Sequence, residues 1–232
     1  MVRGMDARGG RRALLAGATG LVGAACLRCL LGRPEYGRVI ALVRRPLDIE
    51  HPKLEARVVD FTHPERLWPV AADDAFCALG TTLAKAGSRE AFRSVDYLAT
   101  LTMADLAVAS GATQFVLVSS VGADPESGTF YLAVKGEAEA AVAKRPFRGI
   151  HVLRPGLLLG PRAESRPVEA LARALAPLFN PLLMASFRQY RAVPAAAVGR
   201  AMVAAALEGR PGRHVLHHDD ILRLDAWLDS PR

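Results

Sequence analysis

Leu14-Leu15-Ala16-Gly17-Ala18-Thr19-Gly20-Leu21-Val22-Gly23, close behind the N-terminus, decides the fold of this chain. Apolar residues run straight into three glycines spaced three apart, and Leu21–Leu31 follows, rich in Ala and Leu, with a helical pattern. The order reads as a buried strand, a tight turn and a helix start, where a nucleotide pyrophosphate can sit on free backbone N–H groups. Gly17 would let the chain turn, Gly20 would let the backbone approach the phosphates, and Gly23 would let helix and strand pack closely. The spacing is GxxGxxG rather than the GxGxxG of most dehydrogenases. A glycine-rich turn in an ordinary α/β core is therefore the competing reading at this point.

The next apolar run, Arg38–Val43, should lie parallel to the first strand, and it ends in Arg44-Arg45-Pro46. Chains that take NAD place an Asp or Glu about 20 residues past the glycines, where it accepts from the ribose 2′-hydroxyl. Here Arg44 stands just beyond Val43. A carboxylate would repel a 2′-phosphate, whereas a guanidinium grips it in bidentate fashion. Alone, the pair also reads as solvated arginines at a strand end. Together with the glycines it favours NADP(H).

The remaining sequence alternates strand and helix. Candidate strands are Arg12–Ala16, Arg38–Val43, Ala56–Val59, Asp74–Leu79, Gln114–Ser119, Ile150–Leu153 and His214–Leu216, with helical patterns over Ser88–Ser110, Tyr131–Lys144 and Ala195–Leu207. This alternation predicts an α/β, Rossmann-like, doubly wound parallel sheet covered on both faces. Met1–Gly10 reads as a frayed polar tail, residues 11–155 as the nucleotide-binding core, and 156–232 as a small C-terminal lobe of the same domain, covering the strand ends.

Composition excludes several classes. The 30 Lys and Arg against 23 Asp and Glu give a net charge of +7, but the arginines are scattered and no nucleic-acid-binding signature accompanies them. A basic pocket for a phosphate-rich cofactor accounts for the charge, so no nucleic-acid partner is expected. No stretch reads as a signal peptide, and the greasy Leu171–Phe187 segment is broken by Arg173, Pro177, Asn180 and Pro181, so no stable membrane insertion is expected. Three cysteines imply a reducing compartment, read as cytoplasmic. Cys26 and Cys29 fall inside the first helix rather than at its N-terminus, which favours inert buried thiols over a redox pair. His214, His217 and His218 beside Asp219 and Asp220 have no second cluster to complete a metal shell, and read as a solvated turn. Ser119-Ser120 lacks a GxSxG elbow, against a hydrolase.

The chemistry collects at the strand ends. Asp60, closing the third strand, could address an adenine, and Leu79-Gly80 lets a cofactor pass close to the backbone. The fifth strand runs into Ser119-Ser120, and the helix after it opens with Tyr131-Leu-Ala-Val-Lys135. Tyr and Lys four apart share a helix face, so the ammonium can sit beside the phenol, where a positive neighbour favours proton donation and acceptance near neutral pH.

These segments resemble the short-chain dehydrogenase/reductase superfamily in its extended or atypical form. More narrowly, the chain looks like the bacterial relatives of the human Tat-interactive protein oxidoreductase. Gly17-Ala-Thr-Gly-Leu-Val-Gly23, Leu79-Gly80-Thr81-Thr82 and Tyr131-Leu-x-Val-Lys135-Gly136-Glu137 carry most of the likeness. The resemblance implies that Gly17, Thr19, Gly20, Leu21 and Val22 hold a pyrophosphate, with Gly23 closing the motif, and that Arg44 and Arg45 hold a 2′-phosphate. Leu79 and Gly80 would flank the cofactor, and Lys135 would bind the nicotinamide ribose. The Pro155–Leu157 segment and Arg162 would lie near the nicotinamide. Tyr131 would be the acid/base and Ser120 its partner, with Ser119 as second choice. Asp96 stands where many extended members carry Asn. The implied function is an NADP(H)-dependent oxidoreductase, a monomer or homodimer, acting on a small, apolar carbonyl substrate. An NADP(H)-sensing protein with little turnover is the alternative, and a nucleotide-sugar epimerase is disfavoured by the short segment after Pro155. The apolar Pro177–Phe187 segment, with its two prolines, reads as either a flap over the nicotinamide or ordinary packing.

Overall fold

The computed structural model describes residues 9–160 and 188–230. The apolar stretches become seven strands: β1 (Arg11–Ala16), β2 (Tyr36–Val43), β3 (Leu54–Val58), β4 (Asp74–Cys77), β5 (Gln114–Val118), β6 (Gly149–Leu153) and, late in the chain, β9 (Gly212–Leu216). They form one parallel sheet in the order β3-β2-β1-β4-β5-β6-β9. β1, β2 and β4–β6 are buried on both faces, which is why they read as near-continuous apolar runs rather than alternating ones. A two-strand ladder, β7 (Leu158–Leu159) with β8 (Val193–Pro194), stands apart.

Helices cover both faces. On one, α1 (Leu21–Gly32), α6 (Ala195–Glu208) and α7 (His218–Trp227) bury Val22, Leu27, Leu30, Val198, Met202, Ile221 and Leu224 against Leu15, Val39 and Val116 of the sheet. On the other, α4 (Ala99–Ala109) and α5 (Phe130–Val142) bury Met103, Leu106 and Val142 against Leu14, Ile40 and Phe115. Two short helices, α2 (Leu83–Ala86) and α3 (Arg89–Arg93), follow β4, each capped by a hydroxyl: Thr82 accepts from the Lys85 N–H and Ser88 from the Ala91 N–H. Residues after Pro155 thus return to the main sheet through α6 and β9. Within the Met1–Gly10 tail, only Gly9 and Gly10 are described.

One expectation changes here. The stretch after β9 is not a solvated turn. His217 and Asp220 form a capping box at the start of α7, and His218 is buried with its Nδ1 2.8 Å from Asp219. Among the described residues no group of His, Cys, Asp and Glu is placed to hold a metal ion, and no helix is long and apolar enough to cross a membrane. Burial pushes the Cys26 and Cys29 thiols up, away from the reactive thiolate.

Polar side chains also enter the sheet. His151 on β6 lies in register with His214 on β9, the rings stacked at 5.4 Å, and His151 Nε2 is 3.0 Å from Gln114 Oε1 on β5. His151 has no exposed surface.

Candidate active site

The strand order reverses direction between β1 and β4, so the connections leaving those two strands run to opposite faces and open a crevice at their carboxyl ends. The glycine turn sits at the mouth of that crevice. Gly17 has φ +88°, and a Cβ there would lie 2.4 Å from the Ala78 carbonyl oxygen beyond β4. A Cβ on Gly23 would lie 2.0 Å from the Gly17 oxygen, which locks α1 against the end of β1. Gly20 is different. Its Cβ would meet only the Gly17 oxygen at 3.3 Å, and Thr19 and Gly20 are exposed. The helix that starts here has neither a capping side chain nor an acidic residue in its first turn. Its leading N–H groups, including those of Leu21 and Val22, therefore present uncompensated positive charge in a cradle that a Cβ would narrow, which fits a phosphate.

Arg44 and Arg45 leave the end of β2 beside this turn, because Ala16 of β1 pairs with Leu42. Both are exposed and neither forms an ion pair with a described residue. Asp60 is committed locally: its Oδ1 accepts from the Thr62 backbone N–H at 2.9 Å and from the Thr62 hydroxyl at 2.6 Å, and these bonds hold the carboxyl below its usual range. Leu79 is half-buried and Gly80 exposed at the end of β4.

Across the crevice, α5 brings Tyr131 and Lys135 to one face. Lys135 Nζ lies 2.7 Å from Asp96 Oδ1, both side chains almost sealed from solvent. The other carboxylate oxygen, Oδ2, accepts from the Thr81 N–H at 2.9 Å. A Cβ on Gly80 would lie 3.5 Å from both Asp96 Oδ1 and Lys135 Nζ, so the pair borders the same strand end. Burial alone would push the Lys135 ammonium down; the Asp96 carboxylate, with the nearby Tyr131 phenol, outweighs it and holds the ammonium above its ordinary value. Asp96 reaches this position from a single π-helical turn, Ser94–Leu98, between α3 and α4. Thr100 Oγ1 donates to the Asp96 carbonyl at 3.1 Å and steadies the turn. Such turns shift the helix register by one residue and re-aim what they carry. Tyr131 itself is half-buried, its ring 5.5 Å from that of Phe92.

The two serines part company. Ser119 faces α5 and donates to Glu139 Oε1 at 2.5 Å, whereas Ser120 is half-buried and, among the described residues, its hydroxyl makes only a long 3.3 Å contact to the Val121 carbonyl. Glu139 is a residue the sequence reading missed. Buried at 1% exposure, it also accepts two bonds from Arg154, at 2.9 and 2.7 Å, and one from Arg213 at 3.1 Å. It thereby ties α5 to the ends of β5 and β6 and to β9. Tyr131, Lys135 and Glu139 are spaced four apart, and that spacing was the available signal. Leu157 is half-buried, and its carbonyl accepts from the Val193 N–H at 2.9 Å; it leads into β7, and Gly160, the residue after that strand, lies beside the Leu21 side chain at the start of α1. Arg162 and the Pro177–Phe187 segment lie outside the described residues.

Comparison with known proteins agrees with this geometry. A family model described as NAD(P)H-binding matches residues 17–174. The chain belongs to that NAD(P)H-binding family. Within it, the chain is 39% identical over 222 residues to the protein HTATIP2 of Rattus norvegicus, covering 93% of this chain and 90% of the relative. It is 32% identical over 233 residues to the protein FMP52, mitochondrial, of Coccidioides immitis, covering 90% and 94%. Among solved structures, the human epimerase family protein SDR39U1 with NADPH superposes with a TM-score of 0.59 at 18% identity, over 88% of this chain and 72% of that one. Other solved chains of the fold are described with NAD. This NAD(P)H-binding chain is thus of the HTATIP2 and FMP52 type, on a Rossmann-like fold. The cytoplasmic location read from cysteine usage is overturned: several fungal relatives of this family are named as mitochondrial proteins. A low cysteine count reports a reducing environment and does not distinguish one reducing compartment from another.

Proposed function

We propose that this chain is an NADP(H)-dependent oxidoreductase that transfers hydride to a small, apolar carbonyl substrate, with Tyr131 as acid/base. The observation that carries the reading is the meeting, at one strand-end crevice, of an open glycine cradle with Tyr131 and a buried, charged Lys135 on a common helix face. The exposed arginines beside the cradle favour a 2′-phosphate over a bare ribose. When bound, the nicotinamide supplies the hydride. Tyr131 donates its phenolic proton to the carbonyl oxygen as charge builds there, and Ser120, whose hydroxyl has no strong partner among the described residues, orients that oxygen. Ser119 stays with Glu139 and holds the strand end. Lys135 binds the nicotinamide ribose and keeps a positive charge beside Tyr131.

A nucleotide-sensing protein would need the cradle but not the assembled Ser120, Tyr131 and Lys135, which is why turnover is the preferred reading. The test is Tyr131→Phe, assayed by NADPH oxidation across linear aldehydes of increasing length. Turnover should fall by about a hundredfold or more, with NADPH affinity nearly unchanged. Equal turnover in wild type and variant would refute the Tyr131 role, and turnover at background in both, with NADPH still bound, would move the assignment to the sensing protein.

A further inference from the structure

The Lys135–Asp96 pair does more than join α5 to the turn before α4. Oxidised nicotinamide carries a positive charge that the reduced ring lacks. A lone buried ammonium in the crevice would repel the oxidised form and leave the reduced form untouched, and low-polarity surroundings strengthen the difference. Here the ammonium is not alone. A carboxylate with no exposed side-chain surface is held 2.7 Å away, its other oxygen fixed by the Thr81 N–H, and the two border the Gly80 strand end. We propose that Asp96 sets the relative affinity of this site for oxidised and reduced cofactor, by cancelling the Lys135 charge that would otherwise disfavour NADP⁺. Asp96 is in this sense a positioning and specificity residue rather than a catalytic one. The inference rests on the crevice taking a nicotinamide nucleotide.

The consequence depends on the working direction. With the charge cancelled, the spent NADP⁺ of a reductase is not expelled by electrostatics, and the protein responds to the total nucleotide pool more than to its redox ratio. Removing the carboxylate would turn it into a protein that prefers the reduced form.

The experiment titrates NADP⁺ and NADPH separately into wild type and Asp96→Asn by calorimetry, at pH 8 and fixed salt. Asn is nearly isosteric and keeps one acceptor, for the Thr81 N–H, while deleting the charge and the oxygen that faces the ammonium. The ratio Kd(NADP⁺)/Kd(NADPH) should rise on the order of tenfold in Asp96→Asn. The double variant Asp96→Asn/Lys135→Met, with both charges gone, should weaken both nucleotides yet return the ratio close to that of wild type. If Asp96→Asn does not fold, Lys135→Met carries the test with the opposite sign, and the ratio falls. Equal weakening of both nucleotides, with the ratio unmoved, would overturn the proposal and leave a purely structural ion pair. Wild type that binds neither nucleotide would overturn the cofactor reading itself, a different result from an unmoved ratio.

Discussion

Replacing His151 by Gln should change how the stability of the fold depends on pH. His151 is fully enclosed between Gln114 and the His214 ring, and burial, with the His214 and Arg210 charges, lowers its pKa from 6.5 to about 4. The sign follows from proton counting. As pH falls below 6.5 the unfolded chain takes a proton at this position while the folded chain does not, so stability is lost between about pH 6.5 and pH 4. For those two values the loss from this one group is about 2 kcal/mol between pH 7 and pH 5, and about 3 kcal/mol once pH is below 4. Gln at this position keeps an N–H for Gln114 and does not titrate. Urea unfolding of wild type and His151→Gln at pH 7 and pH 5, at equal ionic strength, gives the comparison. The variant should be the less stable protein at pH 7, having lost the stacked ring, and should close on or pass wild type at pH 5. Asp74, whose carboxyl burial raises to about 6, acts in the opposite sense, its contribution falling as pH rises from about 4 to 6. It is present in both proteins and drops out of the difference. Parallel stability curves over this range would refute the reasoning.

If Arg44 grips the 2′-phosphate as proposed, Arg44→Asp should weaken NADPH by far more than NADH, because it sets a like charge against that phosphate; the loss of the charge-assisted pair alone costs about 1.5–3 kcal/mol, read by fluorescence titration of both nucleotides. Glu139→Ala strips one acceptor from Ser119, Arg154 and Arg213 together and should cost about 3–5 kcal/mol in thermal unfolding, well beyond the effect of Ser119→Ala. Gly23→Ala drives a methyl into the Gly17 carbonyl oxygen and should both destabilise the fold and abolish nucleotide binding in the same titration.

The fold was legible because its signals are local. Leu14–Gly23 encodes strand, turn and helix within ten residues, and the doubly buried strands announce themselves as apolar runs. The Tyr131 and Lys135 pairing was readable for the same reason, since four residues is one helical turn. The Asp96–Lys135 pair was not, because it joins residues far apart in sequence through a π turn. Such a turn differs from α-helix only in which carbonyl each N–H meets, and Ser88–Ser110 accordingly reads as one helix. Glu139 was hidden by its charge: a carboxylate is expected on the solvated face, and only the arrival of Arg154 and Arg213 from other strands makes its burial tolerable. His217 and His218 misled in the opposite way, since polar residues after a strand resemble a turn until the capping box is seen.

The glycine cradle also sets what a geneticist could recover from this protein. At Gly17 and Gly23 the atoms that bar a side chain are backbone oxygens, of Ala78 and of Gly17 itself. No second-site replacement can withdraw a backbone carbonyl, so lesions at these two positions should have no suppressors short of restoring glycine. At Gly160 the obstructing atoms belong to the Leu21 side chain, 3.0–3.3 Å from where a Cβ would stand. Whatever Gly160→Ala costs there is set by how far that side chain gives, and should be relieved by trimming Leu21 to Val or Ala. A suppressor screen would therefore divide these glycines into those whose neighbours are heritable side chains and those whose neighbour is the chain itself.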